Sequence, residues 1–266
     1  MSTPQQQTSP FLLLRPLLLL SYSISFLPRT ITELLKSGNL KPFFSLSSFE
    51  THHFATFWRW FGPRSRQDAE AHVLPLLRQA ASGVCLDIGP GSGQWLYMFA
   101  KASNPSITKI YGVEPNPGMH AELKQNAVRN GLDSVYEILS CGAEELGDKG
   151  DLQKESIDTI ITVQCICSIP EPEHVIRSLY PYLKPGGKWI VYEHVKTPFQ
   201  RGYLVGFWQR FINIFWPHLF GGCDLTRPTE EWLLRAGEWS SVDLHMGEGE
   251  GRYSTIPHSI GTLVKA

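Results

Sequence analysis

The chain contains no block of like charge, no repeated cysteine spacing, no internal repeat and no unbroken apolar run of roughly 20 residues. Each lack removes a class of function. With 24 Lys and Arg against 25 Asp and Glu, the formal net charge is -1. So small a charge gives no field to steer a polyanion, and nucleic acid is not expected as a partner. The cysteines, Cys85, Cys141, Cys165, Cys167 and Cys223, are odd in number, and most lie in apolar runs that read as core strands. That pattern excludes a disulfide scaffold and fits a reduced, cytosol-facing domain. Cys165 and Cys167 share a strand face with no second pair in view, so no metal site is expected.

What is present starts with Val84-Cys85-Leu86-Asp87-Ile88-Gly89-Pro90-Gly91-Ser92-Gly93, an apolar run ending in an acid and opening into a glycine loop. A run this short suits a buried parallel strand, and glycines let the backbone turn tightly and approach a ligand. Gln94 to Ala100 reads as the start of the following helix. A second strand, Ile107 to Val113, ends in Glu114, roughly 20 residues beyond the last loop glycine, where an acid can reach ribose hydroxyls. An adenosine ligand follows, and Asp87 chooses between two kinds. A carboxylate just ahead of the glycines repels a pyrophosphate but suits a cationic amino-acid end. S-adenosylmethionine is therefore favoured over a dinucleotide. Asp87-x-Gly-x-Gly-x-Gly followed by Glu114 resembles the first two motifs of class I methyltransferases.

The rest of the chain supplies the remaining candidates. Pro115-Asn116-Pro117-Gly118 is turn chemistry beside the ribose acid, and His120 to Asn130 reads as a helix stopped at Gly131. Val135 to Leu139 is a third strand, followed at Ala143 and Glu144 by the place where such folds meet an adenine ring. Ser156 to Gln164 reads as a fourth strand, buried on both faces, whose carboxyl end puts Gln164 and Cys165 in the ligand crevice. Glu171 to Leu183 reads as a helix, and Lys184-Pro185-Gly186-Gly187-Lys188 turns into a fifth strand, Trp189 to Tyr192, ending at Glu193-His194. Strand alternation lets only one of these two point into the crevice. His194, a titratable ring, is the candidate to take a proton from a substrate nucleophile, and a structural histidine is the competing reading. Thr229 to Ala236 reads as a helix, and Val242 to Met246 and Ile256 to Val264 as a closing pair of strands.

Two greasy segments remain. Met1 to Pro10 is polar and reads as disordered, whereas Phe11 to Leu27 is strongly apolar apart from Arg15 and Pro16. A signal peptide lacks its cleavage site, since Pro28-Arg29 follows Leu27. A transit peptide, a membrane anchor and a helix folded onto the domain stay open, and the anchor is adopted, with Arg29, Lys36 and Lys41 on the cytosolic side. Phe43 to Phe61 is an aromatic-rich connector, and Gln67 to Gln79 has helical spacing weakened by Pro75. Phe199 to Phe220 is apolar nearly all round, suiting a buried helix, a lipophilic pocket wall or a lipid contact.

Gln164-Cys165-Ile166-Cys167-Ser168, Leu183-Lys184-Pro185-Gly186-Gly187, Tyr192-Glu193-His194-Val195 and Gly222-Cys223-Asp224-Leu225-Thr226-Arg227 together resemble the methyltransferase-like seven family of membrane-associated thiol methyltransferases. The resemblance runs from about Phe43 to the C-terminus. It implies a hydrophobic anchor at the endoplasmic reticulum or lipid-droplet surface, with a mitochondrial location as the alternative, and a lipophilic small-molecule acceptor. The expected architecture is α/β: a Rossmann-like class I methyltransferase, mostly parallel and seven-stranded with helices on both faces. Residues 1–45 form a disordered start and anchoring segment, and 46–266 the methyltransferase domain. The expected cofactor residues are Asp87, Gly89, Gly91, Gly93, Glu114, Asn116, Ala143, Glu144, Gln164 and Cys165. The expected reaction moves a methyl group to S, O or N, with thiol favoured by the resemblance. The alternatives are a membrane-bound cofactor-binding scaffold without turnover and an NAD-dependent reductase.

Overall fold

The computed structural model describes residues 9–149, 152–198, 201–247 and 249–266. Most of the polar start read as disordered, together with Phe199 and Gln200, lies outside them. Seven strands form one sheet: β1 (Gly83–Ile88), β2 (Ile107–Val113), β3 (Tyr136–Leu139), β4 (Ile157–Val163), β5 (Leu183–His194), β6 (Trp239–Met246) and β7 (His258–Lys265). Their order is β3-β2-β1-β4-β5-β7-β6. Neighbours from β3 to β5 are parallel, and β7 runs antiparallel to both β5 and β6. The order reverses direction between β1 and β4, opening a crevice at their carboxyl ends where a ligand sits in folds of this kind. This is the mostly parallel seven-stranded α/β sheet that the strand pattern predicts.

The helices are α1 (Arg15–Ser25), α2 (Leu27–Ser37), α3 (Leu46–Ala80), α4 (Pro117–Arg129), α5 (Leu146–Lys149), α6 (Pro172–Leu179), α7 (Tyr203–Asn213), α8 (Trp216–Leu219) and α9 (Thr229–Leu234). Two core clusters cover the sheet. One packs Val73 and Leu77 of α3 and Leu123 of α4 against Ile110, Ile161 and Ile190. The other packs Val175, Ile176 and Leu179 of α6 against Leu86, Ile160 and Trp189. Burying side chains of this size stabilises by about 1.5–3 kcal/mol each.

Two expectations change. The segment after the glycine loop is not an α-helix: turns lead into a single short 3-10 stretch at Leu96–Met98. Gly93, at φ +81°, is left-handed and lies where a Cβ would come within 2.8 Å of Leu96 and 2.9 Å of Leu123, so the position takes glycine and is not helical backbone. The aromatic connector from Phe49 onward, conversely, belongs to the 35-residue helix α3, which continues through Pro63 and Pro75, while Phe43 and Phe44 lie in a short 3-10 turn before it. Each proline removes one helical hydrogen bond. Burial of Phe57, Ala69, Val73 and Leu77 outweighs that loss.

The N-terminal helices pack on the domain. Their anchor point is His53 of α3, whose ring nitrogens lie 3.0 Å from Ser23 Oγ and 3.1 Å from Thr30 Oγ1. Trp208 Nε1 of α7 donates to the Leu13 carbonyl at 2.8 Å, and Leu20 joins Phe57, Ile212 and Trp216 in a third core cluster. Pro10–Ser37 is long and apolar enough to cross a membrane by length and composition. A single turn residue, Phe26, separates α1 from the Pro28-bearing start of α2.

Candidate active site

Three adjoining cavities open at the crevice. The first is lined by Asp87, Gly89, Pro90, Gly93, Gln94, Ser65 and Trp58. The second carries Gly89, Gly91, Glu114, Asn116, Ala143, Glu144, Gln164 and Cys165, so it gathers eight of the ten expected cofactor residues from four separate stretches of chain. The third is apolar, walled by Leu19, Phe54, Phe61, Trp216, Phe220 and Ile256, with His194, Cys167 and Cys223 on one side. Trp58 and Gln164 line all three, and so mark their junction.

Local geometry explains why each residue is where it is. Gly89 has φ +62°, and a Cβ there would lie 2.6 Å from Cys165 Cβ, so only glycine lets the β1 loop pass under the β4 end. Glu114 is 6% exposed and fixes the loop: Oε2 accepts from Gly91 N at 2.9 Å and Oε1 from Asn116 N at 2.8 Å. Burial pushes its carboxyl above the usual carboxylate range, and those two backbone donors oppose the shift. Asp87 accepts from the Tyr136 hydroxyl at 3.1 Å. Burial raises its carboxyl to about 7, with the Tyr136 bond opposing and the neighbouring Glu114 charge reinforcing. Asn116 is first of all a helix cap, accepting from Gly118 N at 2.9 Å at the start of α4.

Beyond β4, Gln164 takes a positive φ of 55° and accepts a hydrogen bond from Ser65 Oγ at 2.8 Å. The β5 end separates its two candidates cleanly. Glu193 is fully buried on the face away from the crevice, where Oε1 accepts from Cys165 N at 3.0 Å and Ile166 N at 3.1 Å. It holds the turn that carries Cys165. The Cys165 thiol is pushed well above its ordinary value by burial and by the Glu193 carboxylate, which makes it a packing group rather than a nucleophile. His194, on the opposite face, borders the apolar cavity. Glu193→Ala should leave two buried N–H groups without an acceptor, at about 1–3 kcal/mol each. The expected result is a lower denaturant midpoint with an unchanged slope, and a wild-type midpoint would contradict the assignment.

Trp58, Ser65 and Phe54, all on α3, are absent from the sequence candidates: Phe54 and Trp58 fall in the stretch that reads as a connector, and Ser65 just beyond it. Helical spacing through Phe54, Trp58, Phe61 and Ser65 is the signal that finds them. The Trp58 indole nitrogen lies over Gly91, 3.0 Å from where a Cβ would be, and is a buried donor without a hydrogen-bond partner. A buried donor of this kind at a cavity junction is placed for a ligand acceptor. Cys167, Cys223 and His258 carry no local signal for the crevice, since only the tertiary fold brings them beside Trp216 and Phe220, whose apolar segment reads as a lipophilic pocket wall.

The glycine loop also bears on the ligand. A dinucleotide pyrophosphate sits on a helix N-terminus, and here a 3-10 turn replaces the helix. A buried carboxylate at the same loop completes an environment suited to a cation.

Comparison with known proteins agrees. A methyltransferase domain family matches residues 63–239. The rat thiol S-methyltransferase TMT1B is 28% identical over 181 residues, spanning 68% of this chain and 70% of that protein. The human thiol S-methyltransferase TMT1A is 25% identical over 181 residues, with the same two shares. Among solved structures, a geranyl diphosphate methyltransferase in complex with GPP and sinefungin superposes with a TM-score of 0.55 at 12% identity, over 75% of this chain and 77% of that one. The chain belongs to the methyltransferase domain family, and is a class I S-adenosylmethionine-dependent methyltransferase close to the thiol S-methyltransferases.

Proposed function

We propose that the enzyme methylates a lipophilic thiol at a membrane surface. The observation that carries this reading is the junction at Trp58 and Gln164, where an apolar cavity meets the two cofactor cavities. The adenosine would lie along Glu114, Asn116, Ala143, Glu144 and Cys165, and the amino-acid end by Asp87 and the glycine loop. The sulfonium then falls near Gln164, facing the acceptor across the junction. Displacement at its methyl carbon requires the nucleophile in line, and holding the two partners together supplies much of the rate. A thiol, already close to ionising at neutral pH, needs little further help. His194 is the residue proposed to contact the acceptor atom. The thiol preference is supported by the names of the two mammalian relatives. Labelled methyl donor offered with alkyl thiols, phenols and amines of equal chain length tests it. Preferred labelling of the thiol supports the reading, and labelling of phenol or amine alone contradicts it.

The membrane part rests on two exposed apolar faces that pack beside each other. Leu14, Leu17 and Leu18 of the N-terminal segment are 40–54% exposed, and Leu204, Phe207 and Ile214 in and just after α7 are 61–84% exposed. The Trp208 to Leu13 hydrogen bond joins these two regions. Side chains of that size facing water form a patch suited to the apolar edge of a bilayer. Arg15 and Leu19 line the acceptor cavity from the same helix, so a lipophilic acceptor would enter from the lipid side. The domain would sit on the cytosolic face of the endoplasmic reticulum or a lipid droplet, with α1 lying in the interface. Leu18→Glu and Phe207→Glu should each reduce flotation with phosphatidylcholine vesicles by more than half. Loss with Leu18→Glu alone would restrict the contact to the N-terminal helix.

A further inference from the structure

Cys167 in the turn after β4, His194 at the end of β5 and Cys223 in the loop after α8 come from three parts of the chain. Their ligand atoms nevertheless all lie within 4.8 Å of one another. His194 Nδ1 is 3.5 Å from Cys167 Sγ and 3.4 Å from Cys223 Sγ. A single ring nitrogen has one lone pair or one proton, which cannot make a full hydrogen bond to both sulfurs. A tetrahedral cation resolves the crowding. With Zn–S near 2.3 Å and Zn–N near 2.0–2.1 Å, sulfur and nitrogen ligands stand about 3.6 Å apart. Both observed separations are close to that edge.

The two cysteine loops are tied to each other. Asp224 N donates to the Cys167 carbonyl at 2.7 Å, and the Arg227 guanidinium donates to the Ile166 and Ile169 carbonyls at 2.6 and 2.7 Å. Such ties hold the sulfurs in place before any ion arrives, as a metal site requires. Two thiolates and an imidazole select Zn2+ over Mg2+ or Ca2+, and the two negative sulfurs balance the dication. Three protein ligands with an open fourth position is the arrangement of a catalytic zinc rather than a structural one. All three residues line the acceptor cavity, so the open side has a chemical use.

We propose that Cys167, His194 and Cys223 form a Zn2+ site whose fourth position takes the sulfur of the acceptor thiol, an inference that rests on the thiol reading above. On binding, the thiol releases its proton to solvent and is held as a thiolate. Its sulfur forms a bond to the methyl carbon while the bond from that carbon to the sulfonium sulfur breaks. The electron pair stays on the departing sulfur, leaving S-adenosylhomocysteine and a thioether that dissociates from the ion. His194 then acts by holding the ion, and replaces the proton-accepting role its position first suggests.

The test is metal content, measured by mass spectrometry on the 266-residue protein purified without chelator. About one zinc per chain is expected. Cys167→Ser, His194→Ala and Cys223→Ser should each fall below a tenth of that, and Cys141→Ala should keep it, with S-adenosylhomocysteine binding showing that each variant is folded. For the unaltered protein, Co2+ in place of zinc should give tetrahedral absorption bands that shift when octanethiol is added. Protein that binds S-adenosylhomocysteine but takes up neither Zn2+ nor Co2+ would overturn the site. Metal-free protein that still methylates thiols would overturn the inference and leave the thiol reading standing. A loaded site whose cobalt bands ignore thiols, in an enzyme that methylates only phenols or amines, would reject both the fourth-ligand role and the thiol reading.

Discussion

Glu114→Ala is expected to weaken S-adenosylhomocysteine binding on the order of 10²-fold or more, measured by calorimetry. Two contributions add. The carboxylate stands at the β2 end, where contact with ribose hydroxyls is proposed, and it already accepts from Gly91 N and Asn116 N. Hydrogen bonds to a charged group contribute about 1.5–3 kcal/mol each, so loss of the ribose contacts alone reaches the hundredfold range. Loss of the backbone contacts also frees the glycine loop from the start of α4, so the second cavity loses its shape as well as its charge. Glu114→Gln keeps one acceptor oxygen and should fall between the two. An affinity within threefold of wild type in both variants would remove Glu114 from the pocket.

Asp87 gives the second large effect, and its signature is in the pH dependence. Because burial raises its carboxyl to about 7, the empty site carries a neutral acid below that pH and a carboxylate above it. The charged methionine end of the cofactor attracts the carboxylate. Affinity for S-adenosylmethionine should therefore rise about tenfold from pH 6 to pH 8, with protons released on binding at the acid end. Stability of the cofactor-free enzyme moves the other way. An acid whose folded value lies above its unfolded one binds more protons when folded, so its contribution falls as pH rises from about 4 to about 7. Asp87→Asn should flatten both profiles, raise the melting temperature of the empty enzyme at pH 8 and weaken cofactor binding there. Opposite movement of stability and affinity is what a binding residue held in an unfavourable site produces. A variant that loses stability while keeping its affinity would show Asp87 to be structural.

Much of the fold was legible because its signals are local. The β2 limits, Ile107 and Val113, coincide with the predicted ones, and the Asp87 and Glu114 motifs identify the strand ends that define the crevice. Strand alternation correctly warned that Glu193 and His194 cannot share a face, and the structure turns Glu193 inward to hold Cys165 N and Ile166 N. What escaped was tertiary. Pro63 and Pro75 argue against a long helix, yet α3 persists because Phe57, Val73 and Leu77 are buried whatever the prolines cost locally. Trp58 and Ser65 were therefore not seen as neighbours of Gln164. The glycine loop argued for a helix, and the chain instead turns through Gly93 at φ +81° into the 3-10 stretch at Leu96–Met98. α6, β5, α7 and α8 lie between Cys167 and Cys223 in the chain, so no spacing rule pairs them.

The central claim is that one crevice holds S-adenosylmethionine with its sulfonium at the junction of Trp58 and Gln164, facing an apolar acceptor cavity. A solved complex with S-adenosylhomocysteine tests it most directly. The adenosine should lie against Glu114 and Ala143, the amino-acid end beside Asp87, and the thioether sulfur within contact of Gln164. A nucleoside bound outside the β1 to β4 crevice, or a sulfur pointing away from the apolar cavity, would contradict the account.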